Sequence, residues 1–484
     1  MNKLPRTHLI LATAIIVLFA LVNAYFVADG FYLLGAIPIG LIMAFLMIYK
    51  PKAMFFLIAF CTPLSVIIDL SGIGVSMNLP TEPLIFSLMV LYILRLIIHA
   101  PIDLKYIKHP LSILLVFNLF WMFITTTTST MPLVSFKAFL CQMWFMLIFY
   151  FLPLELFQNY ANLKKFIWAY FIPLTGVIIY AIVRHQAIGF TRDVSYLVCQ
   201  PFFKEHTIYG ATLALIFPVV LGFAWAYRSL RINLSQRLIA LFCTLLFLPG
   251  IFFSFSRAAW VSLVIAFLVS GLFKIKIRFR TIAVSIIIVG VLIFNFWTDI
   301  RLYLQENEAT SGNNIQQQIQ SIYNITNDES NTERLNRWSS AYRMFLDKPV
   351  FGFGPGTYMF KYGPYQLSHQ KTSISTIFGD LGNAHSEYLG PLAESGFLGF
   401  LTMVLLFIFT VYYGMQIIYF NPNETARVAT FFILISLITY FIHGFLNNFL
   451  SYDKTSVPFW AFIAAITVFD VKYGRKGQVA GEDE

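Results

Sequence analysis

Charge is what this sequence has least of. Lys, Arg, Asp and Glu make up 12% of 484 residues while 58% are hydrophobic, too little polar side chain to clothe a water-soluble fold. A soluble globular protein is excluded. Cysteine is scarce as well: Cys61, Cys141 and Cys243 fall inside apolar runs, and only Cys199 lies in a loop. One loop thiol cannot close an intrachain disulfide there. No metal-ligand spacing and no Asp-x-Asp constellation occur, so no metal and no cofactor is expected. The net charge of +10 is not gathered on any polar domain, which argues against a nucleic-acid partner.

What the chain has is long apolar runs, with 52 Phe among them. A helix facing acyl chains can be apolar all round, whereas a soluble helix needs a polar face. A hydrocarbon core needs about 20 apolar residues per crossing, and about fourteen segments qualify. They lie near 8–28, 31–49, 53–70, 83–99, 110–128, 135–153, 165–184, 207–227, 237–254, 258–273, 281–298, 397–419, 427–447 and 456–471. The expected fold class is therefore an all-α polytopic membrane protein. Lys3 and Arg6 before the first run could imitate a signal peptide, but Tyr25 to Gly30 offers no small-x-small cleavage site, so a retained helix is expected.

Basic residues alternate between loops. Lys50/Lys52, Lys105/Lys108, Lys164/Lys165, Arg228/Arg231/Arg237, Lys274/Lys276/Arg278/Arg280, Arg427 and Lys472/Arg475/Lys476 fall in every second connection. The positive-inside rule makes these cytoplasmic, with both termini inside. The expected layout is a bundle over 1–298, a large extracytoplasmic loop with short helices over 299–396, three further spans over 397–471 and a tail over 472–484.

Three outer features depart from a passive bundle. The connection RHQAIGFTRDVSYLVCQPFFKEH places Arg184, Arg192, Lys204 and His206 against the expected charge bias. The tight connection SFSRAAW leaves Arg257 at the rim of two apolar helices. An arginine there is either a snorkelling anchor or an anion site, since a guanidinium can grip phosphate oxygens with two prongs. The long loop begins with a polar stretch over 305–331, then TERLNRWSSAYRMFLDKP sets Leu335, Trp338, Tyr342, Phe345 and Leu346 at helical spacing, with Arg334 and Arg337 on a neighbouring face. This predicts an amphipathic helix on the membrane surface, capped by Thr332 and stopped by Pro349. FGFGPGTYMF follows, with Gly352, Gly354 and Gly356 alternating around Pro355; it is a plain connector or a tight turn whose backbone approaches a ligand or another helix. Then NAHSEYLGPLAESGFLGF leads into the next span, with His385 near the helix start as a capping histidine or a reactive one.

In combination these residues resemble the O-antigen ligase and O-antigen polymerase superfamily of bacterial envelope glycosyltransferases. The resemblance rests on Arg334, Arg337 and Trp338, then Pro349, Gly352 and Gly354, then His385, Tyr388, Leu389, Glu394, Gly396 and Gly399. Ser256, Arg257, Ala258 and Trp260 supply a further shared element, and Ser386 departs from the Asn common after the histidine. The resemblance covers roughly residues 254–400. It implies an enzyme of the bacterial inner membrane with its site on the outer face, taking a glycan from an undecaprenyl-diphosphate carrier, without a metal. The acceptor is a second glycan, for a polymerase, or lipid A core, for a ligase. Membrane lipids and a chain-length regulator are the further partners implied.

On this reading Arg192, Arg257 and Arg337 stabilise the leaving diphosphate, and His385 removes the acceptor proton or positions a substrate. Arg334, His206, Lys204, Gly352, Gly354, Tyr388 and Glu394 complete the candidate substrate site. Glu387 and Glu394 are alternative bases; Trp338, Tyr358, Tyr362 and Tyr365 are candidate sugar platforms or interfacial anchors. The span count and loop length lean towards a polymerase. A transporter or lipid flippase stays open, as does an assembly protein without catalysis. Against a transporter stand the scarcity of mid-span charge, with Arg95 and Glu155 near helix ends, and the lack of an evident inverted repeat.

Overall fold

The computed structural model describes residues 6–28, 34, 36–70, 75–98, 102–295, 329–372, 375 and 382–474. Most of the polar stretch expected over 305–331 lies outside the described residues. The chain divides into two compact units, residues 1–57 and residues 58–484. The first contains α1 (Arg6–Ala28), α2 (Ala36–Tyr49) and the beginning of α3 (Pro51–Cys61).

The second unit is a helical bundle. Its long helices are α4 (Thr81–Ile98), α5 (Pro110–Thr127), α6 (Pro132–Leu156), α7 (Tyr160–Ile188), α9 (His206–Trp225), α10 (Leu234–Phe252), α11 (Arg257–Lys274), α14 (Leu389–Phe420), α15 (Glu424–Leu446) and α16 (Asp453–Tyr473). These ten are long and apolar enough to cross a membrane. Helices also occupy the other four expected positions, the last being α12 (Phe279–Asn295). Between the long helices lie α8 (Arg192–Val198) and α13 (Glu329–Asp347). The protein is an all-α polytopic membrane protein.

Burial sorts the helices. α9, α15 and α16 are enclosed on nearly every side, so they read apolar all round and form the middle of the bundle. α5, α10 and α11 bury one face only. Their other faces present Ile113, Phe120, Phe242, Leu245, Val264 and Leu268, suited to acyl chains and not to water.

Three expectations need correction. The span placed at 53–70 stops at Cys61, because Pro63 has no N–H to continue the ladder, and the β-branched run after it becomes a strand. Val66–Leu70 pairs antiparallel with Val75–Leu79, with Val66 opposite Leu79 and Ile68 opposite Met77. The helix expected from Thr332 spans Glu329–Asp347, so Thr332 lies inside it and not at its start. The span placed at 397–419 begins at Leu389 and has a break at Gly396.

Helix N-termini divide by the end of the bundle at which they lie. At the end carrying Lys164, Arg228, Arg231, Arg237 and Lys472, side chains cap the first turns: His109 accepts from Leu111 N–H, Asn159 from Ala161, Asn423 from Ala426, and Asn233 forms a reciprocal box with Gln236. At the other end, Thr191, Glu205, Ser256 and Tyr388 precede α8, α9, α11 and α14 without a side-chain cap. Each helix start leaves backbone N–H groups without an intrahelical acceptor and carries partial positive charge.

Candidate active site

The uncapped end gathers the arginines and histidines singled out in the sequence, in two neighbouring clusters. The first is built on α8, α9 and α11. His206, buried at the start of α9, has Nδ1 2.7 Å from the Ser254 carbonyl oxygen and its ring edge-on to Tyr196, with centroids 4.4 Å apart. Arg192 and Arg257, the first residues of α8 and α11, both act electrostatically on this imidazole. The close packing of the start of α11 on α9 depends on Gly210, where a Cβ would fall 2.6 Å from that of Ser256. The Ser256 hydroxyl is buried without a hydrogen-bond partner among the described residues. Lys204 is exposed, outside this cluster. Arg184 donates from Nη1 to the Gln200 carbonyl at 2.7 Å, bracing the loop.

The second cluster centres on α13. The helix is amphipathic as expected, but it turns its polar face inward: Glu333, Asn336, Arg337 and Ser340 are buried with Ala341 and Met344, while Tyr342 and Leu346 are exposed. Outward apolar residues suit a helix resting against acyl chains; the inward polar face can persist only because it is paired. Arg337 Nε donates to Glu333 Oε1 at 2.6 Å, Nη1 donates to the Asn383 carbonyl at 3.1 Å, and the guanidinium lies 5.5 Å from the Tyr362 ring centroid. Arg337 therefore pins α13 to the turn that carries His385. Arg334 donates from Nε to the Leu446 carbonyl at 3.3 Å, where a cation meets the negative end of α15. Tyr358 and Tyr362 are buried in the core of this lid, stacked with centroids 5.2 Å apart, and are not open sugar platforms.

Truncating Arg337 strands a buried carboxylate. Arg337→Ala is expected to destabilise the lid by about 3–5 kcal/mol, and the double variant Arg337→Ala/Glu333→Ala by clearly less. Thermal unfolding of the four proteins of that cycle in detergent measures both; equal losses from the single and double variants would refute the pairing argument.

The glycine turn is held by a break in α14. At Gly396 φ is 67° and ψ is −164°, so the helical ladder opens. The carbonyls it leaves are taken from outside: Phe353 N–H donates to Ala393 at 3.1 Å, Gly354 N–H to Glu394 at 2.8 Å and Trp121 Nε1 to Ser395 at 2.8 Å, while Phe397 N–H donates to Pro349. The other side of the turn docks on the start of α6, where Thr130 N–H donates to the Phe353 carbonyl at 3.0 Å and Ser135 Oγ to that of Pro355 at 2.8 Å. A Cβ on Gly352 would meet Glu394 backbone, and one on Gly354 would meet Ser129. Of the two partners expected for this turn, a ligand or another helix, both glycines approach protein, Gly352 the start of α14 and Gly354 the segment before α6. Glu394 belongs to the same joint, its carboxylate accepting the Tyr358 N–H at 3.0 Å.

His385 sits where the lid meets the bundle. Its φ of 47° is unusual for a residue with a side chain, and the conformation is fixed from several directions. Its N–H donates to Asn383 Oδ1 at 3.0 Å, its carbonyl accepts from Trp338 Nε1 at 3.3 Å, and the next turn is clamped by Glu387. Glu387 Oε1 accepts from the Tyr440 hydroxyl and from Phe449 and Leu450 N–H, all within 2.8 Å. Burial pushes this carboxyl up to about 7, yet it is an anchor in a closed network. Tyr388 likewise is structural, donating to the Phe441 carbonyl at 3.2 Å and stacking on Phe445.

The His385 Nδ1 atom is buried without a hydrogen-bond partner among the described residues. Burial, and then the Arg337 and Arg334 guanidinium groups, push its imidazole down to about 3. Since 6.5 is the ordinary value, the neutral ring contributes stability that is complete above about 6.5 and drains as the pH falls towards 3. Unfolding at pH 7 and pH 5 should show a loss in the parent protein exceeding that in His385→Gln by an amount on the order of 1 kcal/mol. Equal losses would contradict this.

Sequence reasoning missed His443 and Asn447 at the end of α15. His443 Nε2 lies 3.2 Å from Asn447 Nδ2, Asn447 also hydrogen-bonds His385, and His443 lies against the Ala258 backbone, so the pair joins the two clusters. The available signal was FIHGFLNNFL, where polar side chains close an apolar run.

Fold and site together define a polytopic membrane protein with an arginine- and histidine-lined site at one end of its bundle. Residues 242–404, which include Arg257, α13, the glycine turn and His385, match the family described as O-Antigen ligase, and this segment is a domain of the O-antigen ligase and polymerase superfamily. The match supports a function of the ligase or polymerase type. Among curated proteins none matches the chain. Arg192, His206, His443 and Asn447 lie outside the matched segment.

Proposed function

We propose that this protein transfers a glycan from an undecaprenyl-diphosphate carrier to an acceptor hydroxyl on the outer face of a bacterial inner membrane, polymerising O-antigen, capsule or exopolysaccharide repeat units without a metal. The observation that carries the reading is that Arg192 and Arg257, around His206, and three uncapped helix starts share one end of the bundle with His385, whose buried Nδ1 has no hydrogen-bond partner among the described residues. Guanidinium groups and helix N-termini suit a diphosphate. The acceptor oxygen bonds to the anomeric carbon, the bond from that carbon to the diphosphate oxygen breaks with its electrons going to the diphosphate, and the hydroxyl proton moves to His385 Nδ1.

Burial keeps His385 neutral, and the arginine field that adds to it couples the residue to the donor. A bound diphosphate offsets part of the Arg334 and Arg337 charge, so the imidazole becomes a stronger base when the donor is present. The basic residues at the opposite end of the bundle support an outward-facing site with both termini cytoplasmic. The matched family's description favours a second reading, in which the finished glycan is attached to lipid A core.

A deletion strain separates them. Surface glycan limited to one repeat unit is expected for a polymerase, and accumulation of full-length unligated polymer for a ligase. An unaltered glycan size distribution would overturn both.

A further inference from the structure

We propose that the cavity at the basic end of the bundle, between the turn that follows α9 and the start of α15, binds the phosphate headgroup of an anionic membrane lipid. It lies at the end opposite His385, and its ligand is independent of the glycan-transfer reading. The cavity holds about 370 Å³, room for a glycerophosphate headgroup, and is lined by Arg228, Ser229, Arg231, Asn423, Glu424 and Thr425.

The turn puts an arginine where the backbone asks for glycine. Arg231 N–H donates to the Arg228 carbonyl at 3.0 Å and Ile232 N–H to that of Tyr227 at 2.8 Å, the paired bonds that close a helix on a left-handed residue. That residue is Arg231, with φ 53°, so its side chain carries a conformational cost that glycine escapes. The start of α15 locks the turn: Ser229 Oγ donates to Glu424 Oε1 at 2.6 Å, and Thr425 Oγ1 to the Ser229 carbonyl at 2.9 Å. The carboxylate of the lining is thus tied to a hydroxyl, and neither Arg228 nor Arg231 forms an ion pair among the described residues. Arg228 uses only Nε, towards the Tyr227 hydroxyl at 2.9 Å, and the Arg231 side chain donates no hydrogen bond among the described residues. Further cations crowd the turn. Lys164 Nζ donates to the Arg231 carbonyl at 2.9 Å, and the Arg237 guanidinium lies 4.3 Å from the Tyr227 ring centroid. The positive-inside rule asks only that basic residues stay in this loop, not that an arginine take glycine's place on the wall of a cavity. An anion between the two guanidinium forks would satisfy their donors and offset the repulsion.

The depth of the site assigns the anion to a lipid. α9 ends at Trp225 and α14 at Phe420, both exposed, and Leu234 and Leu238 are exposed at the start of α10. Exposed aromatic side chains at helix ends mark the boundary between acyl chains and headgroups. The lining residues Arg228 and Asn423 each follow one of those aromatics by three positions, which sets the cavity at headgroup height. A lipid phosphate held there keeps its acyl chains against the apolar side chains, a contact that free phosphate lacks. Basic pockets between helix ends suit such headgroups.

The test uses the full chain in a neutral detergent, titrated with dioleoyl phosphatidylglycerol, with zwitterionic dioleoyl phosphatidylcholine and with inorganic phosphate. Native mass spectrometry counts the bound molecules, beside thermal unfolding without added lipid. The parent should bind phosphatidylglycerol at least about ten-fold more tightly than phosphatidylcholine. Arg231→Gly should lose about ten-fold in that affinity while unfolding at or above the parent temperature, because the left-handed position then holds the residue that suits it. Lys276→Gly is the control. Lys276 also sits at a left-handed position, φ 54°, in the turn after α11, but it does not line the cavity, so its loss should leave binding parent-like. Where Arg231→Gly fails to fold, Arg231→Asn, which tolerates the same backbone, decides. Parent-like binding by the Arg231 variant overturns the proposal, and so does an equal loss in Lys276→Gly, which would reduce the effect to diffuse surface charge. Inorganic phosphate held as tightly as phosphatidylglycerol would overturn the assignment to a lipid.

Discussion

Arg257→Ala is expected to insert and unfold like the parent protein while glycan transfer falls by about 100- to 1,000-fold. The residue begins α11 at the rim of the bundle and acts on His206 together with Arg192, where its charge adds to the partial positive charge of the helix starts. A snorkelling anchor would tolerate the change or lose only insertion. A cation aimed at a departing diphosphate would not, because its interaction grows as the bond to the sugar breaks. Arg257→Lys separates geometry from charge: a point charge lacks the two-pronged fit, so recovery should be partial. Steady-state transfer with a lipid-linked oligosaccharide, read beside thermal unfolding, checks both. Parent-like kcat in Arg257→Ala would remove this residue from the site.

Gly396→Ala is expected to produce the largest stability loss, roughly 2–5 kcal/mol, together with inactivity. A Cβ there would lie 2.1 Å from the Val350 carbonyl oxygen, in a left-handed backbone region that disfavours side chains. Relief would require either the glycine turn to leave α14 or the helix to close its ladder. Both release Phe353 and Gly354 from the carbonyls they satisfy and loosen the lid that places His385. Protease sensitivity over 349–372, alongside thermal unfolding, reports this. An unchanged cleavage pattern and unfolding temperature would show that the joint does not hold the lid.

Much of this architecture was legible in the sequence, because a membrane span is a one-dimensional signal. Ten of the fourteen apolar runs are helices long and apolar enough to cross a membrane, and Arg192, Arg257 and His385 drew notice as polar residues at apolar edges. The hairpin at 66–79 was not legible, since a β-branched apolar run reads alike as span end or strand until Pro63 is weighed as a stop. The inward polar face of α13 was not legible either. Periodicity locates two faces but does not say which meets protein when the other side is lipid.

The glycines mark the deeper limit. Their spacing announced a special turn, yet whether Gly354 approached a ligand or Ser129 depended on a segment more than 200 residues away. Asn447 and His443 escaped for a similar reason: neither has a motif, and their importance arises only where α15 ends against His385 and Ala258.

The most direct test of the account is transfer by the purified protein reconstituted in lipid vesicles with an undecaprenyl-diphosphate-linked oligosaccharide and an acceptor glycan. The account predicts a lengthened glycan and free undecaprenyl diphosphate in equal amounts from the parent protein, and neither from Arg257→Ala or His385→Ala. Movement of the lipid-linked oligosaccharide across the vesicle membrane with no glycan transferred would contradict it.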